Sequence, residues 1–341
     1  MRRKLAEIHQ RSGLPAAQAY LEIVNRTVTL LEQESEPVRP PSTGGEPGGY
    51  LRLRPDIPTI LVPDLHGRMD FFYSVLAQKN EQGRSAGERL TAGELQIVCL
   101  GDGFHAEGRA AKRWQEAMQE FLGGYRRHRR MDKEMRESLG VMEMVMETKL
   151  RCPEVFHFLK GNHENVTNEN GDGNYPFRKY AQEGLMVLVY LRSFYGEEVL
   201  DALYRFEKLL PLLAVGNCFL ASHAEPATFL DQEALLDYRR LPEVVYALTW
   251  TDNGEAEPGS VEAMLDTYLE DTPCLRRYYF GGHRPVQNGY GLRAEGRYIQ
   301  IHDPGRSIVA CLPADGDIDP DRDIIEIETI APKANGDAEK E

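Results

Sequence analysis

Five short apolar runs in this chain each end in a residue able to bind a metal ion. Ile60-Leu61-Val62-Pro63 runs into Asp64-Leu65-His66-Gly67, and Leu95-Gln96-Ile97-Val98-Cys99-Leu100 runs into Gly101-Asp102-Gly103. Val155-Phe156-His157-Phe158-Leu159 passes through Lys160 into Gly161-Asn162-His163-Glu164. Residues 212–220 run into Ala221-Ser222-His223, and Tyr278-Tyr279-Phe280 runs into Gly281-Gly282-His283. Singly these are weak signals. A lone His66 or His223 is more often a satisfied structural histidine, and Asp102 before a glycine is more often a turn residue. Gly161-Asn162-His163-Glu164 is more specific, and the recurrence of the pattern carries the argument.

Together, Asp64, His66, Asp102, Asn162, His223 and His283 form a mixed oxygen and imidazole set without thiolate. Such a set suits Mn²⁺, Fe or Zn²⁺ and not a structural zinc cage. Asp102 is the residue best suited to bridge two ions, because a carboxylate offers one oxygen to each. Two ions about 3.5–4 Å apart can clamp the oxygens of an in-line displacement at phosphorus, and can lower the pKa of a shared water from about 15.7 toward 7. Hydroxide would then attack phosphorus directly, with no covalent intermediate. His163, beside Asn162, is placed to protonate the leaving alkoxide as general acid.

Positioning such residues requires a sheet. Short apolar runs bounded by glycine read as buried strands, and open α/β sheets gather ligands outside the carboxyl ends of their strands. The even spread of the five runs favours one α/β domain over residues 51–312. Before it, residues 1–50 read as a helix followed by a Pro/Gly-rich linker from 35. Tyr20, Val24, Val28 and Leu31 recur on one helical face. That face could pack on the main domain or on a second copy of the chain, and the first reading is preferred. Residues 110–150 form a charged helical insertion broken near Gly123-Gly124. Met131, Met135, Leu139, Met142, Met146 and Leu150 make a stripe along it. The stripe suits an adaptable partner surface, although packing on its own domain is the plainer reading. Residues 313–341 are acidic and polar, with 333–341 expected to be a disordered tail.

Composition bounds the function. With 41% hydrophobic and 28% charged residues the chain reads as globular. Its net charge of −14, from 54 acidic and 40 basic residues, supplies no general field for nucleic acid or anionic membrane. A phosphate substrate would need positive charge focused locally. The run Arg126-Arg127-His128-Arg129-Arg130 lacks interleaved aromatics and reads as a solvated helix face. No apolar stretch reaches the roughly 18 residues a membrane span needs, and no signal peptide is evident. The five cysteines are scattered and odd in number, without a CxxC pair. Buried thiols in a reducing, cytoplasmic setting are expected.

The order D-x-H, G-D, G-N-H-[DE] and two later histidines resembles the calcineurin-like metallophosphoesterase superfamily. Three features resemble its phosphoprotein (Ser/Thr) phosphatase branch: Glu164 after Asn162-His163, Thr249-Trp250-Thr251-Asp252 for L-W-[ST]-D, and the stretch from His283 to Gly289-Tyr290 for H-Q-x-x-x-x-G-Y. Other branches carry G-H-x-H at this last position, where this chain has Pro285. The resemblance covers roughly residues 57–310. It implies a two-sheet β-sandwich core flanked by helices, here with a helical insertion. It also implies two ions, Mn²⁺ and/or Fe with Zn²⁺ as a further candidate. Asp64, His66 and Asp102 would hold one, and Asp102, Asn162, His223 and His283 the other, with Asn162 also near the phosphate.

The chain departs from that family after its second strand. Members usually read G-D-x-V-D-R-G, whose later Asp orients the catalytic histidine and whose Arg binds phosphate. Here His105 and Ala106 stand in those places. Glu107 and Arg109, shifted by a local insertion, are expected to take over the two roles. Arg276 or Arg277 is expected to supply the family's later phosphate-binding arginine. Pro63 replaces a usual glycine, and the 110–150 insertion is expected to reshape or cover the cleft. The resulting expectation is a phosphomonoesterase acting on a phosphorylated protein. The alternatives are a small-molecule phosphatase or dinucleoside-polyphosphate hydrolase, and a catalytically silent scaffold binding partners through residues 1–34 or 110–150.

Overall fold

The computed structural model describes residues 1–270 and 272–332; the tail expected over 333–341 lies outside them. Its strands are β1 (Tyr50–Arg52), β2 (Thr59–Val62), β3 (Gln96–Cys99), β4 (Phe156–Phe158), β5 (Leu213–Val215), β6 (Phe219–Ser222), β7 (Tyr278–Gly281), β8 (Gly291–Arg293), β9 (Tyr298–Gln300), β10 (Ile308–Leu312) and β11 (Ile324–Glu326). They form a six-stranded sheet in the order β1-β5-β6-β7-β9-β8 and a five-stranded sheet in the order β11-β10-β2-β3-β4. The five apolar runs are thus strands β2, β3, β4, β6 and β7, preceded in the fourth case by β5.

Side-chain alternation with a period of two explains why these strands are apolar throughout. Leu61, Val98, Ala214, Ala221, Phe280 and Ile299 meet in a core between the two sheets. Their neighbours Ile60, Val62, Ile97, Cys99 and Phe156 face outward into a helix-covered core. On the second sheet Leu213, Leu220, Tyr279 and Tyr298 face outward beneath Val244, Leu248 and Met264. The architecture is a mixed α/β sandwich of two sheets flanked by helices.

The helix Ala17–Glu32 packs on the helices Arg129–Arg151 and Glu197–Leu209. Tyr20, Val24, Val28 and Leu31 are buried there, on the chain's own domain. The insertion forms two helices, Ala111–Leu122 and Arg129–Arg151, separated where Gly124 adopts a left-handed φ of 66°. Met131, Met135, Leu139, Met142 and Met146 are buried in the same core, so the methionine stripe is an internal packing face. No helix among the described residues is long and apolar enough to cross a membrane.

One reading is corrected. Cys218 and Cys274 are joined by a disulfide, whereas Cys99, Cys152 and Cys311 are free. The two lie 56 residues apart, just before β6 and in the approach to β7. The parallel register Phe219↔Tyr278 brings those strand starts together. Spacing alone carries no trace of that pairing, and it removes the cysteine argument for a reducing compartment.

The linker is anchored by buried charge. Glu34 pairs with Arg39 at 2.8 Å and with Lys149 of the helix Arg129–Arg151 at 2.5 Å. Arg39 also donates to Gly48 O and Leu209 O, each at 2.6 Å. Burial pushes the Glu34 carboxyl up, but Lys149 and Arg39 outweigh it and hold the pKa at about 2, against an ordinary 4.5. A carboxyl depressed on folding stabilises the fold above its unfolded pKa and loses that contribution as pH falls through the folded value. Glu34→Gln should cost about 3–5 kcal/mol at neutral pH by leaving Lys149 and Arg39 without their counter-charge. The gap between the urea midpoints of variant and wild type should narrow between pH 4.5 and about 2.

Candidate metal centre

Parallel pairing aligns the strand ends. Val62 lies opposite Cys99, and Cys99 opposite Phe158, so Asp64, Asp102 and Asn162 follow at one edge of the smaller sheet. Ala221 lies opposite Phe280, so His223 and His283 follow at the matching edge of the larger sheet. Closure of the sandwich brings the two edges together.

The turns there are strained. His66, Asp102 and His283 adopt left-handed backbone with φ of 43°, 53° and 63°. Such residues cost about 1–3 kcal/mol each and persist only where surrounding bonds over-determine them. Those bonds are present. His66 N donates to Asp102 O at 2.7 Å, and Gly282 N to His223 O at 2.8 Å. The Asp64 carboxylate accepts from His283 N at 3.0 Å, and Asp102 Oδ1 from His163 N at 2.9 Å. The Glu164 carboxylate collects Gly161 N, Gly103 N and Asp102 N at 2.7, 2.8 and 2.9 Å. Two glycines are required by close approach: a Cβ at Gly161 would lie 2.2 Å from Asp102 Oδ1, and one at Gly282 1.9 Å from Asp64 Oδ1.

Asp102 is central. Its Oδ2 lies 3.4 Å from His223 Nε2, and 3.7 Å from both His66 Nε2 and His163 Nε2. Asp64 Oδ2 is 3.8 Å from His66 Nε2. Asn162 Oδ1 lies 2.9 Å from His223 Nε2 and 3.1 Å from His283 Nδ1. Burial holds the His66 imidazole down at about 4 and lowers His223, His283 and His163 as well. Burial and the Asp64 carboxylate push Asp102 up. Among the described residues no lysine or arginine pairs with Asp64 or Asp102. Two buried carboxyl groups therefore stand among neutral imidazoles. His283 Nε2 is buried without a hydrogen-bond partner. Ligand atoms of Asp64, Asp102 and His223, and of His66, Asp102 and His163, fall within 4.8 Å of one another. This donor set fits divalent cations.

The altered segment after Asp102 takes an unexpected course. His105, at a φ of 62°, places its Nδ1 3.0 Å from His163 Nδ1. Glu107 was expected to partner His163; instead it lies 3.0 Å from His302 Nε2 and 2.8 Å from Lys179 Nζ. The left-handed turn at His105 carries the chain past His163 before Glu107 is reached. Arg109 was expected to bind phosphate, but its guanidinium is tied to Glu137 at 2.6 Å and to His66 O at 3.0 Å, outside the cleft lining. Arg276 and Arg277 precede β7, at the opposite end from His283, and Arg277 donates to Thr272 O at 3.2 Å.

The cleft over the site measures about 230 Å³ and is lined by Phe177, Trp250 and three cations, Arg178, Lys179 and Arg284. The 110–150 insertion does not line it; rather, it buttresses the altered segment. Trp114 Nε1 donates to Ala106 O and Ala106 N to Glu134 Oε1, both at 2.8 Å. Arg284 and His302 had readable signals, the one directly following His283 and the other ending an apolar run. Arg178 and Lys179, in an irregular loop, had none.

No family model and no curated protein matches this chain. Among solved structures, a protein serine/threonine phosphatase from Saccharomyces cerevisiae, described as similar to human phosphatase PP5, superposes with a TM-score of 0.54. It is 17% identical, over 95% of this chain and 92% of that one. A cold-active protein-tyrosine phosphatase of a psychrophilic Shewanella species gives a TM-score of 0.39 at 15% identity, over 81% of this chain and 83% of that one. The first likeness establishes a shared fold.

Glu164→Gln would turn a donor toward backbone N–H groups that now find a carboxylate oxygen. Mn²⁺ affinity should fall roughly 10–100-fold, as for other groups that hold ligands in place. Calorimetric titration of both proteins with Mn²⁺ measures it.

Proposed function

We propose that this chain is a metal-dependent phosphoesterase of the calcineurin-like superfamily that hydrolyses phosphate monoesters, in the manner of the Ser/Thr phosphoprotein phosphatases. The observation that carries the reading is Asp102 Oδ2 lying 3.7 Å from His66 Nε2 and 3.4 Å from His223 Nε2, within a buried cluster of further ligand atoms. Asp64, His66 and Asp102 would hold one ion, and Asp102, Asn162, His223 and His283 the other. Mn²⁺ and Fe suit the donors best. Bound there, the ions supply Lewis acidity toward phosphoryl oxygens and acidify water.

The protein's own groups do the rest. Arg178, Lys179 and Arg284 line the cleft, Lys179 already paired with Glu107 and Arg284 with Asp252, and place cationic groups where a phosphate would enter. Asp252 holds Arg284 Nη2 at 2.9 Å. His163 directs Nε2 toward Asp102 and donates its proton to the leaving oxygen. Burial lowers both imidazoles, His105 to about 3, and keeps them neutral; His105 Nδ1–H donating to the His163 Nδ1 lone pair would orient that ring with its one proton on Nε2. Phe177, with a ring centroid 3.8 Å from that of His163, shields this pair. A second reading, a small phosphate ester or nucleoside polyphosphate as substrate, draws on the modest cleft with Trp250 in its wall. A panel of phosphopeptides against dinucleotides separates the two.

Hydrolysis of p-nitrophenyl phosphate with Mn²⁺ tests the reaction class. Asp102→Asn should nearly abolish turnover; equal activity in variant and wild type would overturn the mechanism. His163→Ala should lower kcat by about 10²–10⁴ for an alkyl phosphate, whose leaving oxygen needs a proton. Its effect on p-nitrophenyl phosphate should be clearly smaller, because that phenolate leaves without one.

A further inference from the structure

His302 is an imidazole at the metal centre that neither the motifs nor the proposed ligand set uses. Strands β7 and β9 are parallel with Gly281 opposite Gln300. His283 and His302 each follow two residues later, so they emerge side by side at the same sheet edge. His302 is 1% exposed. Its Nε2 lies 3.0 Å from Glu107 Oε2, and the other Glu107 oxygen is held by Lys179 Nζ at 2.8 Å. A carboxylate on Nε2 fixes the ring proton there and leaves the lone pair on Nδ1. That Nδ1 is buried without a hydrogen-bond partner and lies 3.8 Å from Asp64 Oδ2. Ligand atoms of Asp64, His66 and His302 all fall within 4.8 Å of one another.

We propose that His302 is a further metal ligand, binding through Nδ1 in the site of Asp64 and His66, and that Glu107 is the carboxylate that orients it. The proposal rests on the dinuclear reading above and deepens it. It gives that site a second imidazole and so favours ions that take nitrogen readily, such as Mn²⁺, Fe²⁺ or Zn²⁺, over Mg²⁺. It also gives Glu107 and Lys179 a common purpose: Lys179 holds the carboxylate, the carboxylate holds the imidazole, and the imidazole holds the ion. Such positioning groups typically change metal affinity roughly 10–100-fold.

The test is metal content and spectroscopy on the full chain, independent of turnover. Protein stripped of metal, loaded with Mn²⁺ and desalted should retain two ions per wild-type chain by elemental analysis. His302→Ala and His302→Gln should retain one. Glu107→Gln, which keeps every ligand, should bind the ion at Asp64, His66 and His302 roughly 10–100-fold less tightly. Asn162→Ala should lose the other ion and keep the one His302 holds. In the Co²⁺-loaded wild type, a hyperfine-shifted, slowly exchanging ring N–H from His302 Nε2 should appear and vanish in His302→Gln. Circular dichroism of the metal-free variants separates lost ligation from lost folding. Two ions bound with wild-type affinity in both His302 variants, with the N–H signal unchanged, would overturn the assignment alone. A wild type that retains no ion would overturn the metal-centre reading beneath it.

Discussion

Two carboxylates, Asp64 and Asp102, are buried at the meeting edge of two sheets with neutral imidazoles around them and no lysine or arginine paired to either among the described residues. Placing anions there is costly unless a cation answers them. The surrounding architecture follows from holding that arrangement in place. Backbone N–H groups from neighbouring ligand turns bond to the two carboxylates, so each ligand's position depends on the next. His283 N on Asp64 and His163 N on Asp102 are the two clearest links.

The same dependence explains the residues just outside the ligand set. Glu164 binds three backbone N–H groups across two strand ends. A side chain of its length can span Gly161 to Gly103, and the strained φ of Asp102 is stabilised as a result. The glycines of these turns leave room for carboxylate oxygens that a Cβ would displace. Strain and close packing here are local costs offset by bonds that only the folded sandwich can form.

The segment from His105 to Arg109 shows how an altered motif is accommodated. His105 takes the position beside His163, and Glu107 turns to His302 and Lys179. The insertion supports this course from behind: Trp114 and Glu134 bind both sides of Ala106, and Ser138 Oγ accepts from His105 N at 3.3 Å. The helices that look like an accessory feature are thus structurally coupled to the centre. Their methionines fill the core against the smaller sheet, and Met142 packs directly on Gly103.

The five strand-end motifs were legible because a strand buried on both faces must be an unbroken apolar run, and because turns able to carry a ligand at left-handed φ are flanked by glycine. The gathering of Asp64, His66, Asp102, Asn162, His223 and His283 at strand ends follows from that local grammar, whereas the two-sheet sandwich was implied by the family resemblance of the motifs. Partners brought together by tertiary packing were not legible. Cys218 and Cys274 meet only because β6 and β7 are parallel and in register. His302 becomes a candidate ligand because β9 lies beside β7, with Glu107 reaching it from another sheet edge. Spacing along the chain suggested Glu107 for His163 and Arg109 for phosphate. A single left-handed residue, His105, redirected the first, and the nearby Glu137 carboxylate claimed the second. Sequence determined which residue types could do the chemistry; only packing decided which of them face one another, because hydrogen bonds and charge pairs depend on distances through space that chain spacing does not encode.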